Sequence, residues 1–177
     1  MALPKDVAAL KAAIRDVPDF PKPGIVFKDI TTLVRDPALF HTTCDLLAEM
    51  CKSHPADKVV AIESRGFILG GVLADRLGLG FVPVRKPGKL PWKSLKASYE
   101  LEYGTDVLEI HADALTPGER VLVVDDVIAT GGTAKAVAEL CDTLGAKVSA
   151  FAFLVELRFL DGRAKLAGHE ILSLIQY

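Results

Sequence analysis

Hydrophobic and polar positions along the chain switch repeatedly between a helical and an extended rhythm. Val7, Leu10, Ile14 and Val17 recur at helical spacing and predict an amphipathic helix that ends before Pro18. The stretch Pro18–Gly24 is dense in turn residues and reads as a stiff loop, followed by a short apolar run, Ile25–Ile30. Asp36-Pro37 places an N-cap residue before proline, the signature of a helix start, and Phe40, Cys44, Leu47 and Cys51 mark the buried face that follows. Val59–Ile62 reads as a central strand, Ile68, Leu69, Val72 and Leu73 as its helix, and Phe81–Val84 as the next strand. Residues Ser98–Tyr103 alternate like a strand with one wet face, and Val107, Leu108 and Ile110 predict its hairpin partner across a turn at Gly104-Thr105. Val121–Val124 is fully apolar, and Val137, Leu140, Cys141 and Leu144 mark the helix after it. A long strand from Lys147 to Val155 and a short apolar run in the tail close the pattern.

Fully apolar strands suit the buried centre of a parallel sheet, and strand–helix alternation over short connections implies right-handed crossovers. The expected fold class is therefore α/β, with a central, mainly parallel sheet flanked by helices. At 177 residues one domain is the default, spanning 1–177, with no repeat, low-complexity segment or linker. Within it, residues 85–104 read as a mobile basic lid and hairpin, and residues 1–34 include a small N-terminal hood segment that the family resemblance given below implies.

Composition mainly excludes. Formal net charge is −2, so the whole chain offers no case for nucleic acid or an anionic membrane as partner. No run approaches the roughly 18 apolar residues that a membrane span needs. The first turns carry Lys5, Asp6, Lys11, Arg15 and Asp16 with no apolar core, unlike a secretion signal. The three cysteines, Cys44, Cys51 and Cys141, are widely spaced with no Cys-x-x-Cys. They read as buried thiols of a cytoplasmic protein. None of His41, His54, His111 and His169 pairs at metal-ligand spacing.

The chemistry concentrates after the apolar strand, in Asp125-Asp126-Val-Ile-Ala129-Thr130-Gly131-Gly132-Thr133. Glycines let the backbone turn tightly and approach a ligand, and the free amides at the start of the next helix suit a phosphate. Thr130 and Thr133 add hydroxyl donors. Asp125 and Asp126 can only accept when ionised, which suits ribose hydroxyls or a sugar-bound Mg²⁺. The combination points to a sugar phosphate. A plain helix cap beside a strand-end aspartate would account for one Asp and one Gly, but not for the whole string. Glu63-Ser64-Arg65-Gly66-Phe67 repeats the strand, polar turn and helix layout and could make a second anion cradle; alone it also reads as an ordinary loop. From Arg85 to Lys96 lie five cations, Arg85, Lys86, Lys89, Lys93 and Lys96, with Pro87, Gly88 and Pro91 among them. On its own this is a solvated charged loop. Beside two cradles it becomes a lid that can hold a polyphosphate, Lys acting as point charges and Arg as a fork.

The Asp125–Thr133 string resembles the PRPP-binding signature of the type I phosphoribosyltransferases. The Phe20–Ile30 run, Glu63–Phe67, Arg85–Pro91 and Tyr99-x-x-Glu102-Tyr103-Gly104 together resemble the adenine phosphoribosyltransferases, over roughly residues 18–157. The resemblance implies that Ala129, Thr130, Gly131, Gly132 and Thr133 hold the 5′-phosphate, and that Asp125 and Asp126 hold the ribose 2′- and 3′-hydroxyls. It implies pyrophosphate contacts from Glu63, Ser64, Arg65, Arg85, Lys86 and Lys89, through a non-proline cis peptide at Glu63–Ser64. The ring of Phe27 would stack on adenine, backbone groups at Val26 and Lys28 would read the base edge, and Leu154 or Leu157 would wall it. Glu102 would be the acid/base residue, with Tyr103 beside it. Without the resemblance, Phe27 reads first as core and Glu102 as solvent-facing. Mg²⁺ would arrive on PRPP, with no direct protein metal site. The implied reaction is adenine plus PRPP giving AMP and pyrophosphate, in a cytoplasmic homodimer with Arg85 reaching across the interface. Glu63, where some members carry Asp, and the Pro87-Gly88 pairing depart from the pattern.

Other phosphate machinery fails on single residues. An NTPase loop ending at Gly88-Lys89 would need Gly at Pro83 and Ser or Thr at Leu90. Gly78-Leu79-Gly80 lacks the third glycine of a dinucleotide site and stands before a strand. No Gly-x-Ser-x-Gly elbow occurs. Two alternatives remain open: the same chemistry with hypoxanthine or guanine, and a PRPP-sensing regulator without catalysis.

Overall fold

A computed structural model describes residues 4–101 and 104–177. Its centre is a parallel sheet of five strands: β3 (Lys58–Ile62), β4 (Gly80–Val84), β7 (Arg120–Ile128), β8 (Lys147–Glu156) and β9 (Ile171–Gln176), in the order β4-β3-β7-β8-β9. The middles of the central strands β3, β7 and β8 are apolar because both faces are covered there. One face packs Val60, Ile62, Val121, Val123, Phe151 and Phe153 against α5 (Gly132–Thr143) and the hairpin of β5 (Ser94–Leu101) and β6 (Gly104–His111). The other packs Val59, Leu122, Val124, Ala150 and Ala152 against α3 (Pro37–Cys51) and α4 (Arg65–Leu77). Phe151 and Phe153 stack two residues apart on one face, as the period of a strand requires.

Strand order reverses at β3. From there the chain steps outward to β4, and later returns to lay β7 on the other side. In open α/β sheets the crevice at such a reversal, beyond the strand C-termini, is where ligands bind. Pairing between β3 and β7 stops at Ala61–Val124, whereas β7 runs on beside β8 to Ile128. Asp125 and Asp126 therefore stand inside a strand whose β3-side edge has come free.

The N-terminal segment departs from its sequence pattern. The spacing through Val17 predicts a helix up to Pro18, yet α1 ends at Ala13, and Arg15–Pro18 forms β1, antiparallel to β2 (Val26–Asp29). Tertiary partners override the periodicity: the Thr32 hydroxyl donates to the Ala13 carbonyl at 2.6 Å, and Lys28 reaches Asp16 at 2.7 Å across the ribbon. Asp29 receives Arg15 and the Thr31 amide, which hold its carboxyl down at about 2. After the short α2 (Thr31–Val34), α3 starts as its sequence announces: Asp36 accepts from the amides of Ala38 and Leu39 at 3.0 Å, a cap worth about 1 kcal/mol.

The hairpin also differs. β5 begins at Ser94, inside the basic stretch, and β6 covers Gly104–His111, so Gly104 and Thr105 pair with Leu101 and Glu100 instead of forming the turn. Cys44, Cys51 and Cys141 are buried free thiols, and burial pushes Cys51 and Cys141 up to about 12.

Candidate functional site

The loop after β7 is built from backbone. Gly131 adopts φ +76, and a Cβ there would lie 2.3 Å from the Gly162 carbonyl oxygen, so both conformation and space demand glycine. α5 starts at Gly132 with no side chain capping it. Its first amides have no partner within the helix and face a small hollow of about 70 Å³ bordered by Ala129, Thr130, Thr133 and Asp125. Amides and the positive end of a helix converge there, the arrangement that binds phosphate.

The carboxylate pair divides its work. Asp126 is 4% exposed, and its carboxylate accepts from Arg65 Nε. Asp125 Oδ1 accepts the Asp126 amide at 2.8 Å. Burial raises the Asp125 carboxyl well above the usual range, and the adjoining Asp126 charge adds to it. α4 presses on this pair: a Cβ at Gly66 would lie 2.8 Å from Asp125 Oδ1.

The loop after β3 carries the cis peptide Glu63–Ser64. The Glu63 carboxylate is nearly buried and receives Arg85 Nε at 2.7 Å and Lys89 Nζ at 3.1 Å. Burial works to raise its carboxyl, but the two cations outweigh that and hold it below the usual range. Two further cations of the arm are held in the same manner. Lys86 pairs with Asp106 at 3.0 Å, and Lys96 with Glu109 at 2.9 Å; the second oxygen of Glu109 accepts the Gly88 amide at 3.1 Å. Arg85 also exchanges both backbone hydrogen bonds with Glu109, at 2.9 and 2.7 Å. Thus Glu63, Ser64, Arg65, Lys86 and Lys89 share one cleft of about 510 Å³ with Asp125, Asp126 and Thr133. Arg85 reaches this cleft through Glu63.

Arg65 joins the cleft to an aromatic slot. Its guanidinium lies 5.3 Å from the centroid of the Phe27 ring, and Phe20 meets Phe27 edge-on at 5.3 Å. Val17, Phe20, Phe27, Asp29 and Arg65 line this slot of about 360 Å³. Strand alternation turns Val26 and Lys28 to the other side of β2, into a hollow of about 560 Å³ walled by Leu157, Phe159 and Tyr177. Lys28 lies 4.2 Å over the Tyr177 ring. Only backbone groups of Val26 and Lys28 can then serve the Phe27 side. Of the two leucines expected as a wall, Leu154 is fully buried in the core beneath the sheet, and Leu157 borders the hollow. Glu102 and Tyr103 lie outside the described residues.

Several site residues escape a sequence reading. Tyr99 lines the cleft and donates to Asp106 at 3.2 Å; its alternation within the predicted strand was the available signal. Asp106 and Glu109, which hold Lys86 and Lys96, carry no local mark of that role in the sequence. Gly162, packed on the phosphate loop, gave no local sign.

Residues 31–168 match the phosphoribosyl transferase domain family. The adenine phosphoribosyltransferase of Carboxydothermus hydrogenoformans is 60% identical over 168 residues, 95% of this chain and 99% of that one. The crystal structure of the enzyme of that name from Thermoanaerobacter pseudethanolicus superposes with a TM-score of 0.95 at 53% identity, covering 97% and 99% of the two chains. That from Saccharomyces cerevisiae, complexed with an imino-altritol bisphosphate and adenine, gives 0.90 at 43% identity over 97% and 99%. With such identity running through nearly the full length of each partner, the chain belongs to the adenine phosphoribosyltransferase family.

Proposed function

We propose that the chain transfers the 5-phosphoribosyl group of PRPP to adenine, giving AMP and pyrophosphate. The observation that carries this reading is the continuity of the cleft. An amide-lined phosphate loop, a carboxylate pair, a cluster of cations and an aromatic slot adjoin one another through the shared residues Asp125, Thr133 and Arg65, as the parts of the substrates require. Amides of Gly132 and Thr133 take the 5′-phosphate, with the Thr130 and Thr133 hydroxyls. Asp125 and Asp126 accept from the ribose hydroxyls, and Phe27 with Arg65 flanks the base.

In the transfer, the bond from C1′ to the pyrophosphate oxygen breaks as the bond to adenine nitrogen forms. Negative charge accumulates on the leaving group and positive charge near C1′. Preorganised cations and carboxylates aimed at those two places lower the barrier. Arg65, Lys86 and Lys89 supply the first, Arg85 assists through Glu63, and the carboxylates supply the second. Glu102 manages the purine proton, with Tyr103 beside it; both roles rest on the resemblance. Arm residues 85–93 close over bound PRPP and exclude water.

Asp125 and Asp126 offer hard oxygen donors that suit Mg²⁺. Among the described residues no three such ligands gather. The reading therefore leaves most of its coordination to PRPP, where Mg²⁺ supplies positive charge to the pyrophosphate oxygens. A cytoplasmic homodimer belongs to the same proposal and rests on the resemblance; for Arg85 to reach the neighbouring site it would exchange its present partner, Glu63 of its own chain.

The test is turnover of PRPP with adenine, hypoxanthine, guanine and orotate in parallel, with Mg²⁺ and with chelator. AMP formed from adenine alone, and lost with chelator, is the expected result. Preference for hypoxanthine or guanine would reassign the base. PRPP bound without product from any base would make the chain a sensor.

A further inference from the structure

The segment 158–166 crosses the end of the sheet as two 3₁₀ turns joined at Asp161, which adopts φ 49. It lies directly under the phosphate loop. A Cβ at Gly162 would fall 2.3 Å from the Ala129 carbonyl oxygen and 3.0 Å from the Gly131 amide nitrogen. The reverse holds for Gly131 against the Gly162 carbonyl. Two glycines thus pack backbone on backbone, and a side chain at either would push the two loops apart.

The next residue fixes this segment to the sheet. Arg163 donates through Nε and Nη2 to both oxygens of Glu156, at 2.6 and 2.7 Å, and through Nη1 to the Ile171 carbonyl at 3.1 Å. The Ser173 hydroxyl completes the carboxylate at 2.5 Å. Glu156 is the last residue of β8, paired with Ile128 on one side and Gln176 on the other, so the fork is anchored where β7 hands over to the phosphate loop. Its carboxylate is almost fully buried, and Arg163 holds its pKa below the usual range. Leu166 seats the far end of the segment in the core.

We propose that Gly162 and the Arg163–Glu156 fork act as a brace that positions the phosphate loop, making both positioning residues for PRPP. The inference rests on the phosphoribosyl-transfer reading and adds to it residues that touch no substrate. Gly162 abuts the Ala129 carbonyl and the Gly131 amide, and neither Gly162 nor Arg163 lines the Phe27 slot. Phe159 and Leu160 of the same segment border the hollow behind Val26 and Lys28, so the substitutions are placed at Gly162 and Arg163, where damage falls first on PRPP.

The experiment is a steady-state comparison of wild type, Gly162→Ala, Arg163→Met and Arg163→Lys, with thermal melts and titration of ribose 5-phosphate by calorimetry. Gly162→Ala should raise the KM for PRPP roughly tenfold to hundredfold, as expected of a loop displaced by about an ångström. The KM for adenine should stay within about twofold. Arg163→Met should show the same selectivity with a smaller effect, and Arg163→Lys should recover part of it, since a single ammonium replaces half the fork. If Gly162→Ala fails to fold, the two Arg163 variants decide. Folded Arg163 variants that leave the PRPP KM unchanged, or raise both KM values together, would overturn the proposal. A wild type that binds ribose 5-phosphate without turning over PRPP would defeat the enzymatic reading alone. The brace would then be judged by ribose 5-phosphate affinity across the same variants. A wild type that binds neither would sink both.

Discussion

The two sides of the cleft hold anions by different means. On the β7 side the donors are backbone amides, fixed by a left-handed glycine and by glycine packed on glycine. On the β3 side the donors are long cationic side chains, each already engaged: Lys86 with Asp106, Arg85 and Lys89 with Glu63. A backbone cradle has few ways to adjust, which suits a phosphate that stays attached through the reaction. Side chains parked on carboxylates can exchange partners, which suits a group that arrives on one substrate and leaves alone. On the proposed reading the carboxylates on this side are stand-ins for the pyrophosphate, and its binding would replace ion pairs instead of creating them from solvated charges.

This contrast can be broken by substitution. Gly131→Ala should have the largest effect, lowering kcat/KM for PRPP by roughly a hundredfold or more, because its Cβ meets the Gly162 carbonyl and its φ disfavours L side chains. Steady-state kinetics within about threefold of wild type would show that the backbone side is not the anchor. Asp126→Ala should cost roughly tenfold in PRPP affinity by removing an acceptor and releasing Arg65 over the Phe27 ring. Isothermal titration of PRPP reads it. On the adjustable side, Lys89→Ala should weaken product inhibition by pyrophosphate about threefold and flatten its dependence on salt. Gly131→Ala should leave that salt slope intact; equal slopes in both variants would erase the distinction drawn between the sides.

The smallest effect concerns the fold alone. The Asp29 carboxyl has a folded pKa of about 2, against about 3.9 when unfolded. Its contribution is therefore present above pH 4 and fades as acid carries the protein from pH 4 toward 2. Arg15 is more than half exposed, so solvent screening limits the contribution to about 1 kcal/mol. Urea melts of wild type and Asp29→Asn should differ by that amount at pH 6 and converge near pH 2. A constant gap would mean that the group acts through shape instead of charge.

Legibility followed the range of the forces involved. Central strands such as Val59–Ile62 and Val121–Val124 are apolar on both faces, and that condition is written locally. So is the Asp36-Pro37 helix start. The glycine-rich string after β7 was readable because its order of residue types is itself the chemistry. What escaped depends on distant partners. Val17 fits a helical stripe, but cross-strand ion pairs and the Thr32 hydroxyl made β1 the better use of that segment. The Ser94 start of β5 was hidden among lysines because its partner strand lies beyond Gly104. Nothing near Gly162 announces that it supports a loop about thirty residues earlier in the chain.

The buried thiols have a practical side. Thiolates are the reactive form, and at neutral pH Cys51 and Cys141, with pKa values pushed up to about 12, hold almost none; Cys44 is raised by burial as well. A single cysteine introduced at exposed Trp92 would then be the fast-reacting thiol on an otherwise unchanged background. A fluorophore placed there would report directly on whether the cationic arm moves when PRPP binds.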